Sequence, residues 1–230
     1  PGTQFIGDTP SEASQDWAVA ITTDEQSAPS AQYQQANGLV IMEAENTLTS
    51  DRGLWFEKTT VAGFTGDSYI EFDGNQATNG PPNSPLSYTF TINQSGLHYL
   101  HLHVARETLV LNGETRTDVA NDAYVRLTGD YAAGPNVGNS HGDDAPLATL
   151  RQDTKFFGGN DNQFVWASGN RLDLGGETNK RVAVYNLQAG ETYTFTMSGR
   201  SRFFKVDRIV FRHESVSRNQ AQDLSRGETR

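Results

Sequence analysis

Glu43 and Glu45 stand two residues apart in the run VIMEAE. On a strand that spacing sends both carboxylates to one face, opposite Val40, Met42 and Ala44. Two like charges so placed suit a hard cation such as calcium, which takes about six to eight oxygen ligands and would need loop carbonyls and a third acid besides. Ordinary pairing with Arg or Lys on a solvated face is the other reading. A second cluster is HYLHLH, where His101 and His103 share a face with Tyr99 while His98 shares the other with Leu100, Leu102 and Val104. A His-x-His pair ligates zinc or copper when a third ligand joins it, for which His141 and the acids of GNSHGDDA are candidates. Histidines facing a ligand other than a metal, or simply exposed, require fewer assumptions, and His98 is expected to pack at the sheet margin. A third cluster is GRSRFFK, which gathers Arg200, Arg202 and Lys205 into one turn. Guanidinium and ammonium groups suit carboxylate or sulfate through charge-assisted bonds, and a solvated basic turn is the alternative.

Other chemistries lack their residues. The chain has no cysteine, so disulfides, thiolate metal sites and cysteine nucleophiles are excluded. Asp118, Asp122, Asp130, Asp143 and Asp144 are numerous enough to supply the carboxylate pair, about 5 to 9.5 Å apart, that a glycoside hydrolase needs, but number is not a signature. No GxSxG elbow, HExxH helix or phosphate-cradling glycine loop occurs. A polysaccharide lyase would draw on Arg106, His101, His103 and Tyr99. With 18 basic and 28 acidic residues the formal charge is −10, which opposes binding to nucleic acid or anionic lipid. No apolar run approaches the roughly 20 residues that span a bilayer.

The elements that must position these groups are strands. In LSYTFTI, residues Leu86, Tyr88, Phe90 and Ile92 alternate with small polar ones, and Tyr193, Phe195 and Met197 do so in ETYTFTM. Similar runs begin at Leu39, Ser68, His98, Ala123, Gln163, Arg181 and Val206, parted by turn clusters such as FDGN, NQSG and LQAG. No window gives an amphipathic helix, so the expected fold is all-β, an antiparallel β-sandwich. Composition divides the chain into a polar segment 1–37 read as linker, a sandwich over 38–213, and a polar tail or linker over 214–230. Residues 107–122 and 129–162 are too long for hairpin turns and too polar for core, and are the expected binding face.

The ordered set VIMEAE, GDSYIEFDG, SYTFTINQSGLHYLHLHVA, Trp166, NLQAGETYTF and FKVDRIVF resembles carbohydrate-binding modules of family 6 and their relatives over most of residues 39–213. That resemblance implies a jelly roll with calcium near one edge, held by Glu43, Glu45 and Asp207, and sugar bound in a loop cleft or on a sheet face. It also implies a secreted, non-catalytic, monomeric module that binds polysaccharide and targets a covalently linked or partner enzyme to it. A β-sandwich lyase or hydrolase, and an adhesive or structural module of a larger extracellular protein, are the alternatives. Trp166 corresponds in order to the family's platform tryptophan, though a strand tryptophan is as often core. Tyr131, Phe156 and Phe157 either supply a second ring or pin the loop. Lys205 stands where many relatives have Asn, so Arg106, Arg202 and Lys205 are read as lining a site for an acidic or sulfated chain, with His101 and His103 nearby.

Overall fold

Alternation of apolar and polar residues becomes strand pairing throughout the computed structural model, which describes residues 31–135, 145–176 and 179–230. In chain order the strands begin with β1 (Tyr33–Gln34), β2 (Leu39–Glu43), β3 (Trp55–Lys58), β4 (Tyr69–Phe72), β5 (Asn83–Thr91) and β6 (Gly96–Arg106). A hairpin of β7 (Leu109–Leu111) and β8 (Glu114–Arg116) precedes β9 (Asp122–Thr128), β10 (Ala132–Ala133) and the one-turn helix α1 (Leu147–Leu150). Then come β11 (Thr154–Phe157), β12 (Asn160–Asp161), β13 (Val165–Ala167), β14 (Asn170–Asp173) and β15 (Lys180–Val182). The chain ends with β16 (Val184–Leu187), β17 (Thr192–Gly199), β18 (Lys205–His213) and a second one-turn helix, α2 (Arg218–Ala221).

Two sheets face each other as a β-sandwich of jelly-roll type. One runs β1-β5-β17-β9-β11-β14-β15, and the other runs β10-β16-β6-β18-β4-β3 with β12 and β13 added beside β6 and β2 beside β18. Pairing is antiparallel except for β1 with β5 and β12 with β6. Inward residues of both sheets merge into one core: Leu86, Tyr88, Phe90, Phe195 and Met197 from the first meet Val40, Met42, Leu100, Leu102 and Ile209 from the second. Phe211 ties the layers together, its ring centroid 4.7 Å from Phe90 and 5.5 Å from Phe195, within the range where aromatic pairs attract beyond their burial.

Three expectations from composition are corrected. The sandwich starts before residue 38, because Tyr33 is fully buried in the core and β1 pairs with β5; residues 1–30 of the expected linker lie outside the described residues. Residues 214–230 are not a tail but a strap across the outer face of the nine-stranded sheet. Ile41 donates to Thr229 Oγ1 (3.0 Å), Thr229 donates back to the Ile41 carbonyl (3.0 Å), and Ala221 buries beside Leu39, Ile41 and Val210. Within 107–122, Asn112 (φ 53°) and Gly113 (φ 82°) form the two-residue Asn-Gly turn joining β7 to β8. Both positions need positive φ, which Asn and Gly tolerate best, so that stretch is partly hairpin rather than loop.

Candidate functional site

β6 and β18 build a polar stripe on the outer face of the nine-stranded sheet. Tyr99, His101 and His103 alternate with core Leu100, Leu102 and Val104, as the HYLHLH pattern predicts. Opposite them across the ladder stand Arg212, Val210 and Arg208 respectively. The register shifts between Val206 and Arg208, so Asp207 is the extra residue of a bulge. That insertion puts an acid and an arginine side by side where a regular strand would separate them.

Each of the three carboxylates expected to hold calcium already has protein donors. Both oxygens of Glu43 accept from Arg208 (Nε to Oε2 3.2 Å, Nη2 to Oε1), and Thr65 Oγ1 donates to Oε2 at 2.8 Å. Asp207 accepts from the Thr65 backbone N–H (2.7 Å) and from His103 Nδ1 (2.6 Å). Glu45 Oε1 accepts from the N–H groups of Asp67 (3.1 Å) and Ser68 (3.4 Å). Gly66, with φ +65°, lets the loop approach this closely, since a Cβ there would lie 2.3 Å from Glu45 Oε1. The loop therefore turns N–H groups, not carbonyls, toward the acids, which is the wrong polarity for a cation cage. Of the oxygens of these three acids, Glu45 Oε2 is buried without a partner among the described residues, and burial pushes that carboxyl up to about 7. Among the described residues no group of three His, Asp or Glu side chains is set to hold a metal ion. The residues do not fit the calcium expectation as they are paired: an ion would have to displace Arg208 from Glu43 and His103 from Asp207.

The expected basic turn is likewise neutralised. Lys205 is 2% exposed, with Nζ at 3.1 Å from Glu71 and 3.4 Å from Glu107, and Arg202 pairs with Asp73 at 2.6 Å on the surface. Arg106 Nε donates to the Gly159 carbonyl (3.0 Å), holding β12 beside β6. These three do not form a free cationic patch. Tyr131 is buried and donates to the Leu127 carbonyl (2.8 Å), so it pins the loop and offers no ring face. Phe156 is core, whereas the Phe157 ring lies under Arg171 and Lys180. Trp166 packs half-buried on the outer face against His103 (4.8 Å between centroids), and its Nε1 donates to the Gln222 carbonyl of the strap (3.1 Å). The structure thus joins Trp166, His101 and His103 into one group and leaves Arg106, Arg202, Lys205 and Tyr131 elsewhere. His141, Asp143 and Asp144 lie outside the described residues.

A hollow of about 220 Å³ opens beside this group, lined by Tyr99, His101, Asn170, Val182, Arg212 and Arg218. Arg212 lies 4.4 Å from the Tyr99 ring centroid and donates to the Val216 carbonyl (2.6 Å) and to His101 Nε2 (3.2 Å). An arginine has only donors, so Nε2 is the acceptor and the neutral His101 ring carries its proton on Nδ1. Gln222 Nε2 lies 3.3 Å from both Nδ1 and Ser168 Oγ, and turning that amide over would give the Nδ1 proton an oxygen acceptor. Burial, then the nearby Arg212 and Arg218, push His101 down to about 3. The sequence signal for this site was present: Arg208 and Arg212 fall on one strand face with the expected histidines. Arg218 and Asn170 carried none, because only the fold brings them there.

No family model and no curated protein matches the chain. Among solved structures it is similar to a β-(1,4)-mannanase of Podospora anserina described as GH26-CBM35, with 14% identity and a TM-score of 0.45 over 79% of this chain and 29% of that one. It is also similar to a family 35 carbohydrate-binding module from Clostridium thermocellum (16% identity, TM-score 0.41, covering 75% of this chain and 96% of that one). A third is a CBM35 from Paenibacillus barcinonensis (14%, 0.38, covering 74% and 96%). The chain spans under a third of the mannanase's length. The sandwich assignment rests on this chain's own strand pairing.

Proposed function

We propose that the chain is a non-catalytic module that binds carbohydrate and brings an attached or partner enzyme to polysaccharide outside the cell. The observation that supports this most is the hollow at Tyr99, His101, Asn170, Arg212 and Arg218: a small open site lined by a ring, an amide and guanidinium groups. Sugar hydroxyls and ring C–H faces are recognised by such combinations of planar hydrogen-bonding groups and aromatic surface. The sequence resemblance to family 6 modules and their relatives points the same way.

Asp118 and Asp122, two of the acids a hydrolase could draw on, are held in ion pairs together with Asp173, which supports binding over turnover. Asp122 is held by Arg200 (2.5 Å) and Lys155 (3.8 Å), Asp173 by Lys155 (2.7 Å) and Lys180 (2.6 Å), and Asp118 by Arg116 (2.8 Å). Of the residues a lyase would need, His101 accepts from Arg212 through Nε2, and both His101 and His103 are buried in the sheet, so neither imidazole is presented to a substrate. Affinity electrophoresis against a panel of plant and algal polysaccharides tests the reading, with retardation by at least one expected. Absence of retardation in all of them would favour the adhesive alternative.

A further inference from the structure

Of the described arginines, Arg106, Arg151, Arg171, Arg181, Arg212 and Arg218 have no ion pair to a carboxylate, and of these Arg212 and Arg218 line the same hollow. Arg52, Arg116, Arg126, Arg200, Arg202, Arg208, Arg226 and Arg230 each pair with a carboxylate. Arg212 bonds only to His101 and to the carbonyls of His213 and Val216, and no carboxylate faces it or Arg218 among the described residues. Two guanidiniums lining one hollow with no carboxylate paired to them among the described residues leave uncompensated positive charge there. Arginine cannot discharge itself by losing a proton.

Arg212 is also fixed in place. Its Nε and Nη1 are held by His101 and the Val216 carbonyl and its plane lies against Tyr99, which leaves Nη2 with no partner among the described residues. The same fixing keeps the cost of ordering low when a ligand binds. Arg218 is exposed on α2, brought over the sheet by the strap, and Asn170 at the start of β14 adds an amide across the opening. Two guanidiniums converging beside a ring and an amide match an anion carried on a sugar, because carboxylate and sulfate take paired N–H donors while hydroxyls take the amide.

We propose that this hollow binds an anionic sugar unit, a uronate or a sulfate ester, with Arg212 and Arg218 on the charged group and Asn170 and Tyr99 on the ring. This rests on the carbohydrate-binding reading and names its ligand class. The test is titration calorimetry of the full chain with polygalacturonate, a sulfated galactan and neutral xylan, repeated with Arg218→Glu and with Arg212→Gln/Arg218→Gln. Binding to either anionic polymer, lowered about tenfold or more by Arg218→Glu, is expected; the carboxylate and sulfate arms then identify the group. Raising salt from about 0.15 to 0.5 M should weaken it further, since the pairs lie near solvent. Arg218 is exposed, so its variant keeps the fold even if the Arg212 change does not. Xylan bound as tightly as the acidic chains, and untouched by Arg218→Glu, would overturn the inference while leaving carbohydrate binding intact. No binding to any polymer would overturn both.

Discussion

Arg208 is the residue on which the buried polar stripe depends. Removing one partner of a buried, hydrogen-bonded pair leaves the other charge unsolvated and typically costs about 3–5 kcal/mol, while replacing both with apolar groups of similar size is often neutral. Arg208→Met should therefore lower the unfolding free energy read from urea melts by that much, and Glu43→Leu/Arg208→Met should recover most of it. Because Arg208 supplies the positive charge, chelator should leave the melting temperature unchanged; a lower melt in chelator would show that a cation displaces the arginine. His98 makes a pH prediction. It is buried against Gln35 (2.7 Å), the Gly96 carbonyl (3.0 Å), His213 and nearby Glu214, and burial pushes it down to about 4. The unfolded chain, with an imidazole near 6.5, binds more protons between those values, so stability falls as pH drops from about 6.5 to 4, at up to roughly 1.4 kcal/mol per unit. His101, lowered by burial to about 3, adds to the same slope. Glu45, raised by burial to about 7, contributes the opposite slope between about 4.5 and 7, so urea melts across that range should show the fall in a Glu45→Gln background, and a flat profile there would contradict the neutral burial of both rings.

At the scale of elements, much was legible because alternation has a physical cause. A run such as LSYTFTI cannot bury Leu86, Tyr88 and Phe90 together except as a strand with one face on the core, and β5 does this. What escaped notice lacks apolar periodicity. The strap is polar and attaches by backbone bonds at Thr229 and the single buried Ala221, and β1 is two residues long. The Asn-Gly turn was readable, but the composition of its surroundings masked it. For the site, the histidine face and the outward Glu pair were legible, whereas the partners of Glu43, Asp207 and Lys205 depend on a bulge and on loop contacts from distant sequence. Deleting residues 216–230 should expose Leu39, Ile41 and Val210 and lower the melting temperature by roughly 10 °C, at about 2–4 °C per kcal/mol for a domain of this size. An unchanged melt would make the segment a passive tail.

Across the whole molecule, charge is sorted by face. The outer surface of the seven-stranded sheet carries ion pairs that satisfy one another, among them Lys155 with Asp173 and Arg126 with Asp153. The nine-stranded sheet buries Glu43 with Arg208 and Asp207 with His103, then ends in a hollow whose two arginines pair with no acid among the described residues. The site proposed for sugar is this open hollow of ring, amide and guanidinium groups, a combination suited to hydroxyls and ring faces. The most direct measurement incubates the protein with the polysaccharide panel and follows retention together with release of reducing ends and unsaturated products. The account predicts retention by at least one polysaccharide with no product from any; retention by none, or turnover of the one retained, would contradict it.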